Sequence, residues 1–266
     1  MDRPAHLPTY ERPPLNEVVY GVQFNPPQDF TSVHIREVWD LFRSEFPVVD
    51  EQPPLQPQFE TFGGAATQMG LQFQFGPPPR KTRLWFISAD ESHLLQFQDD
   101  RLLLNWRRRE NGADYPNFEG IFPILTRSLK TLSDWFRTAF DHELEVNQAE
   151  VTYINLVPVP TISQPQDWFT FLNASPLNVE GASVTLAEVL SDDSGKPNAR
   201  FFHELVTVQL PESRERAFRF TLTIRGAPPD GSLAAALDFI KSARERIVVR
   251  FEELTTEGAK TVWGRR

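Results

Sequence analysis

The sequence predicts an α+β protein in which two β-α-βββ-α-like halves form a curved, mainly antiparallel sheet with long helices on one face. Three observations lead there. Apolar and polar residues alternate over short runs such as Leu95-Gln96-Phe97-Gln98, and successive strand side chains point to opposite faces. Two long segments instead repeat their apolar residues at 4-3-4-3-4-3 spacing, the stripe of a helix packed on a core. Finally, each of these segments follows a hairpin-like run, and Glu150-Val151-Thr152-Tyr153 echoes Glu17-Val18-Val19-Tyr20.

The elements follow in order. Residues 1–14 are polar and proline-rich and read as an extended arm. A strand over 16–24 puts Val18, Tyr20, Val22 and Phe24 on one face and Gln23 on the other. Thr31 or Ser32 then caps a helix to Phe46 with a stripe of Ile35, Trp39, Phe42 and Phe46, ended by Pro47. A proline-rich linker leads to 58–62 and a glycine turn at Gly63-Gly64. Residues 68–75 alternate again, with Gln72 and Gln74 opposite Leu71, Phe73 and Phe75. After Pro77-Pro78-Pro79, a strand over 82–88 leads into a tight hairpin with its turn at Asp99-Asp100. Leu102, Leu104 and Trp106 continue the apolar face of that hairpin, and Gln96, Gln98, Arg101, Asn105 and Arg107 fill the other.

A long helix spans 117–140 on Phe118, Phe122, Leu125, Leu129, Leu132, Phe136 and Ala139. The second half, 147–266, begins near a junction at 145–148, so that 15–146 forms the first. It holds a strand over 150–157, a short helix around 167–172, a loop at 191–198 and a hairpin of 200–210 with 217–225. Ser232 caps the last helix, whose stripe is Leu233, Leu237, Ile240, Arg244, Ile247, Phe251 and Leu254, with Arg244 its one charged member.

Composition narrows the class. The chain has 266 residues, 40% of them hydrophobic and 24% charged, which is an ordinary globular balance. Its 22 Phe promise an aromatic core and its 23 Pro mark loops. With no cysteine, disulfides, thiolate metal sites and a cysteine nucleophile are excluded. No apolar run approaches the ~20 residues of a membrane span, and the polar N-terminus lacks a signal-type apolar region, so the expectation is a cytoplasmic protein without a membrane partner. A formal charge of −9 argues against general nucleic-acid binding, which favours a basic excess.

Several residues together resemble a known group: Pro13-Pro14-Leu15-Asn16-Glu17-Val18-Val19 with Phe24, Trp39, Phe46-Pro47, the run from Leu95-Gln96-Phe97-Gln98 through Arg101 to Asn105-Trp106-Arg107, then Tyr115-Pro116 and Trp263-Gly264. In this the chain is similar, over nearly its whole length, to a sporadically distributed prokaryotic protein family of unknown function. The resemblance implies a bacterial or archaeal protein and, from the patchy distribution, an association with mobile or defence genes. It implies no catalytic residue.

Motifs for chemistry are sparse. His6, His34, His93, His142 and His203 show no His-x-x-x-His pair, so no metal site is expected, and no Gly-x-Ser-x-Gly elbow is present. The expectation is therefore a protein that is not an enzyme and takes no cofactor. Two surfaces stand out. Gln23, Gln72, Gln74, Gln96, Gln98 and Asn105 share the polar phase, and amides offer both donors and an acceptor; this face is the expected contact for a protein partner or a second copy. Alternatively, Arg80, Lys81, Arg83, Arg107, Arg108 and Arg109 bind phosphate through their donors, with Tyr115 stacking on a base. A second alternative is a pocket for an apolar ligand between the helices and the sheet.

Overall fold

Alternating side chains and the closing proline runs produce one open antiparallel sheet. In the computed structural model the described residues are 3–63, 82–109, 114–159, 164–173, 179–210 and 214–266. Nine strands are present among them: β1 (Leu15–Phe24), β2 (Val48–Gln52), β3 (Arg83–Ile87), β4 (His93–Gln98), β5 (Arg101–Arg107), β6 (Val146–Pro158), β7 (Ser183–Ser191), β8 (Pro197–Gln209) and β9 (Arg216–Gly226). They lie in the order β2-β3-β4-β5-β1-β6-β9-β8-β7, and every neighbouring pair is antiparallel. The helices are α1 (Ile35–Phe42), α2 (Asn117–Phe140), α3 (Leu233–Leu254) and α4 (Glu257–Val262). Among the described residues, no helix is long and apolar enough to cross a membrane.

Register assigns each side chain to a face. β1 pairs with β5 through Tyr20↔Leu104 and Gln23↔Arg101, and with β6 through Val18↔Tyr153 and Gly21↔Glu150. Val18, Tyr20, Val22, Leu102, Leu104, Trp106, Val151 and Tyr153 therefore share one side, and all are buried. The rings of Phe118 and Phe136 in α2 meet Tyr20 and Phe24 edge-on, at centroid distances of 5.4 and 5.6 Å. Phe251 of α3 stacks on Phe220 of β9. Each such side chain contributes roughly 1.5–3 kcal/mol when taken from water. The side chain of Ser232 caps α3 by accepting from the Ala235 amide at 3.1 Å.

Several elements differ from the sequence expectation, each for a physical reason. The helix expected to reach Phe46 is a 3₁₀ turn (Ser32–His34) followed by α1, which ends at Phe42. Phe46 still reaches the core, because its amide bonds the Phe42 carbonyl in a closing turn. Strands β2 and β7 were not expected; both are sheet edges. Asp50, Glu51 and Gln52 in β2 lack apolar alternation because charge suits an unpaired edge. The expected junction at 145–148 falls at the start of the continuous strand β6, which runs back to Val146. The short helix expected at 167–172 is a 3₁₀ turn over Pro165–Asp167. The strand expected over 68–75 lies outside the described residues.

The arm docks onto the C-terminal tail. Tyr10 bridges Arg265, its hydroxyl donates to Glu252, and Leu7 is buried. Leu129 of α2 is fully buried whereas Val33 is exposed. Leu129→Ala should therefore cost about 2–5 kcal/mol, and Val33→Ala should change little. Urea unfolding of the two variants checks this.

Candidate functional site

The side of the sheet opposite Tyr20 and Leu104 is polar, and it carries the amide candidates Gln23, Gln96, Gln98 and Asn105. Register puts Leu94, Gln96 and Gln98 of β4 opposite Asn105, Leu103 and Arg101 of β5. Gln23 lies opposite Arg101 on one side and Gln148 on the other. Glu150 pairs with Arg225, which pairs with Arg200. Amides and arginines thus cross the middle of the sheet on a single face.

The sequence reading turns these amides to solvent; the structure buries them. Gln23, Gln96, Gln98 and Asn105 are 7%, 6%, 1% and 3% exposed. The covering element at one end is the proline-rich segment 53–63, whose backbone is bound by the face. Gln98 grips Leu55 twice: its Oε1 accepts from the Leu55 amide and its Nε2 donates to the Leu55 carbonyl, both at 2.9 Å. The Gln58 amide donates to Gln23 Oε1 at 3.0 Å. Arg101 donates to the Gln56 carbonyl at 3.1 Å and forms a buried ion pair with Asp100 at 2.9 Å. Farther along, Glu60 accepts from Arg200 and from Arg225 at 3.2 Å, and Arg225 also meets Glu150 at 2.5 Å. Proline-rich sequence suits this role, since its extended backbone leaves amides and carbonyls free for side chains to bind.

Beside the segment, a second ladder runs across four strands. Gln96 Oε1 accepts from Arg83 at 3.0 Å and from the Trp85 indole at 3.1 Å. Gln96 Nε2 donates to Asn105 at 2.8 Å, and Asn105 donates to Glu17 at 2.6 Å. Burial raises the Glu17 carboxyl above its usual range, against the Asn105 hydrogen bond and the cations Arg107 and Arg109. Both Arg83 and Arg107 lie over the Trp85 ring, at 5.6 and 5.5 Å. Burial lowers both guanidiniums.

Between Gly21, Gln23, Arg101, Gln148 and Arg225, under the covering segment, lies a cavity of about 210 Å³. Gln148 is buried, and its Oε1 has no hydrogen-bond partner. Glycine is required at 21: a Cβ there would sit 2.5 Å from the Leu103 side chain and 2.4 Å from the Leu102 carbonyl.

The remaining candidate residues separate. Arg108 donates to the Leu15 carbonyl at 3.0 Å and lies over Trp106. Arg109 pairs with Glu91 at 3.8 Å. Tyr115 packs on Trp106, and its hydroxyl lies 3.1 Å from that of Tyr153, on the helix side of the sheet. Gln72, Gln74, Arg80 and Lys81 lie outside the described residues. Arg200, Arg225, Glu60, Gln148 and the covering segment were missed. Their signal in the sequence was faint: Arg200 and Arg225 alternate with apolar residues in two strands, and Glu60 follows a proline run. Among the described residues, no group of three His, Asp or Glu side chains is placed to hold a metal ion.

No family model and no curated protein matches the chain. Among solved structures, the di-domain ARO/CYC StfQ from the steffimycin biosynthetic pathway is similar at 8% identity, over 92% of this chain and 97% of that one, with a TM-score of 0.19. A likeness that loose carries no argument about fold or activity.

The Glu17 environment yields a pH test. Its folded-state pKa lies above the ordinary 4.5, so ionisation opposes folding: the penalty is absent below 4.5 and complete once pH exceeds the raised value. Glu17→Gln keeps the acceptor for Asn105 and removes the charge. The variant should match the wild type in acid and become the more stable of the two as pH rises to neutrality. A stability difference independent of pH would refute burial as the cause.

Proposed function

We propose that the chain is a non-enzymatic binding module whose amide-rich sheet face holds an extended polypeptide segment of a protein partner. The observation that carries this reading is the two-point grip of Gln98 on the Leu55 backbone. Gln23 and Arg101 bind the same segment in the same way. These contacts address peptide N–H and C=O groups rather than side chains, so they select an extended backbone whose own N–H and C=O groups are free. The chain's own residues 53–63 occupy the face, so a partner segment of similar extended, proline-rich character takes their place.

The strand order supports a further element of the reading, that the module arose by duplication. Read outward from the central β1–β6 pair, one side runs β5-β4-β3-β2 and the other β9-β8-β7. Each half thus lays down its first strand at the centre and its last strand beside it, then continues into a long helix. Two such halves give one continuous face with long helices behind it.

A test opens the face. Deleting residues 53–63 should let the protein bind a labelled peptide of the 53–63 sequence at least tenfold more tightly than the wild type does, by fluorescence anisotropy. Gln98→Leu with Gln23→Leu should abolish that gain. The reading fails if the opened variant binds no peptide, or binds it equally well after both changes.

A further inference from the structure

A second cavity, of about 100 Å³, lies on the helix side of the sheet and is closed by the N-terminal arm. Its polar wall is unusual for a core. The hydroxyl of Tyr153 lies 2.6 Å from that of Tyr20 and 3.1 Å from that of Tyr115. Arg244 of α3 stands beside them, 2% exposed, with one Nη donating to Glu119 at 3.2 Å and its guanidinium over the Phe118 ring at 5.0 Å. The Nε of Arg244 is buried without a hydrogen-bond partner, and so is the Nε of Arg3, the arm residue lining the same cavity. The rest of the wall includes Leu15, Val248 and Phe251.

We propose that this cavity binds a short-chain monocarboxylate, its oxygens accepting from Arg244, Arg3 and the hydroxyls of Tyr115 and Tyr153 and its alkyl end against Leu15, Val248 and Phe251. Two guanidiniums line this cavity and Glu119 pairs with one of them, Arg244, so the complement is an anion. Buried N–H groups left unpaired are costly, and a carboxylate offers planar paired acceptors that suit guanidinium donors. The volume sets the size: a water takes ~30 Å³ of liquid, so the space admits a molecule of roughly propionate dimensions. An inorganic phosphate needs donors all round, and the apolar wall supplies none. Arg244 was legible in the sequence as the charged member of an apolar helical stripe; what it faces was not.

The test is titration of the full chain with sodium propionate, followed through the arginine Nε–H resonances by NMR, with inorganic phosphate as a parallel arm. The expected result is a saturable shift of the Arg244 and Arg3 signals with propionate and none with phosphate. Arg244→Gln should weaken binding at least tenfold. Arg3→Gln, in the half-buried arm outside the sheet and helices, should weaken it several-fold and keeps the test decisive if the core variant does not fold. No saturable shift with propionate, equal binding of phosphate, or unchanged affinity in Arg3→Gln overturns the proposal.

Discussion

The constraint on which the structure depends is that both faces of the central strands are buried, and each must be satisfied by different chemistry. On one face, Tyr20, Leu104, Trp106 and Val151 are removed from water, with Phe118 of α2 against Tyr20 and Tyr115 against Trp106. On the other, Gln23, Gln96, Gln98, Arg101 and Asn105 are almost as deeply buried but polar. An apolar face is stabilised by area alone. A polar one is tolerable only when its donors and acceptors are paired.

That requirement explains the path of 53–63. An element covering a row of polar side chains that runs across neighbouring strands has to present hydrogen-bonding groups at the strand-to-strand spacing, and extended backbone does so. A helix would consume its own N–H and C=O groups and leave the amides unpaired. The ion pairs of Arg200 and Arg225 with Glu60 fix the far end of the segment. Arginine is suited to this because one side chain reaches a carboxylate and a carbonyl at once, as Arg200 does with Glu60 and Thr61.

The two cavities differ in the same sense. The one under the covering segment is walled by amides, arginines and a carboxylate, and its orphan is an acceptor, Gln148 Oε1. The one under the arm sets phenols and guanidiniums against hydrocarbon, and its orphans are donors. Each is closed by a stretch of chain without helix or regular strand: 53–63 is held by side chains of the face that bond its backbone, and the arm by the buried Leu7 and by Tyr10 against the rings of Phe251 and Trp263.

By itself the sequence determined side-chain phase. The alternation through Leu95-Gln96-Phe97-Gln98 and Leu102 to Trp106 set the hairpin and its two faces, the stripe of Phe118 to Phe136 set α2, and Ser232 set the start of α3, because these signals are local and repeat within a few residues. Only the tertiary structure decided what each face meets. Edge strands β2 and β7 carry little pattern because one side of their backbone has no partner, and the burial of Gln98 under Leu55, of Glu60 between Arg200 and Arg225, and of Arg244 beside Tyr115 joins residues far apart in the chain. Periodicity reports which way a side chain turns; it holds no record of the distant segment that comes to lie against it.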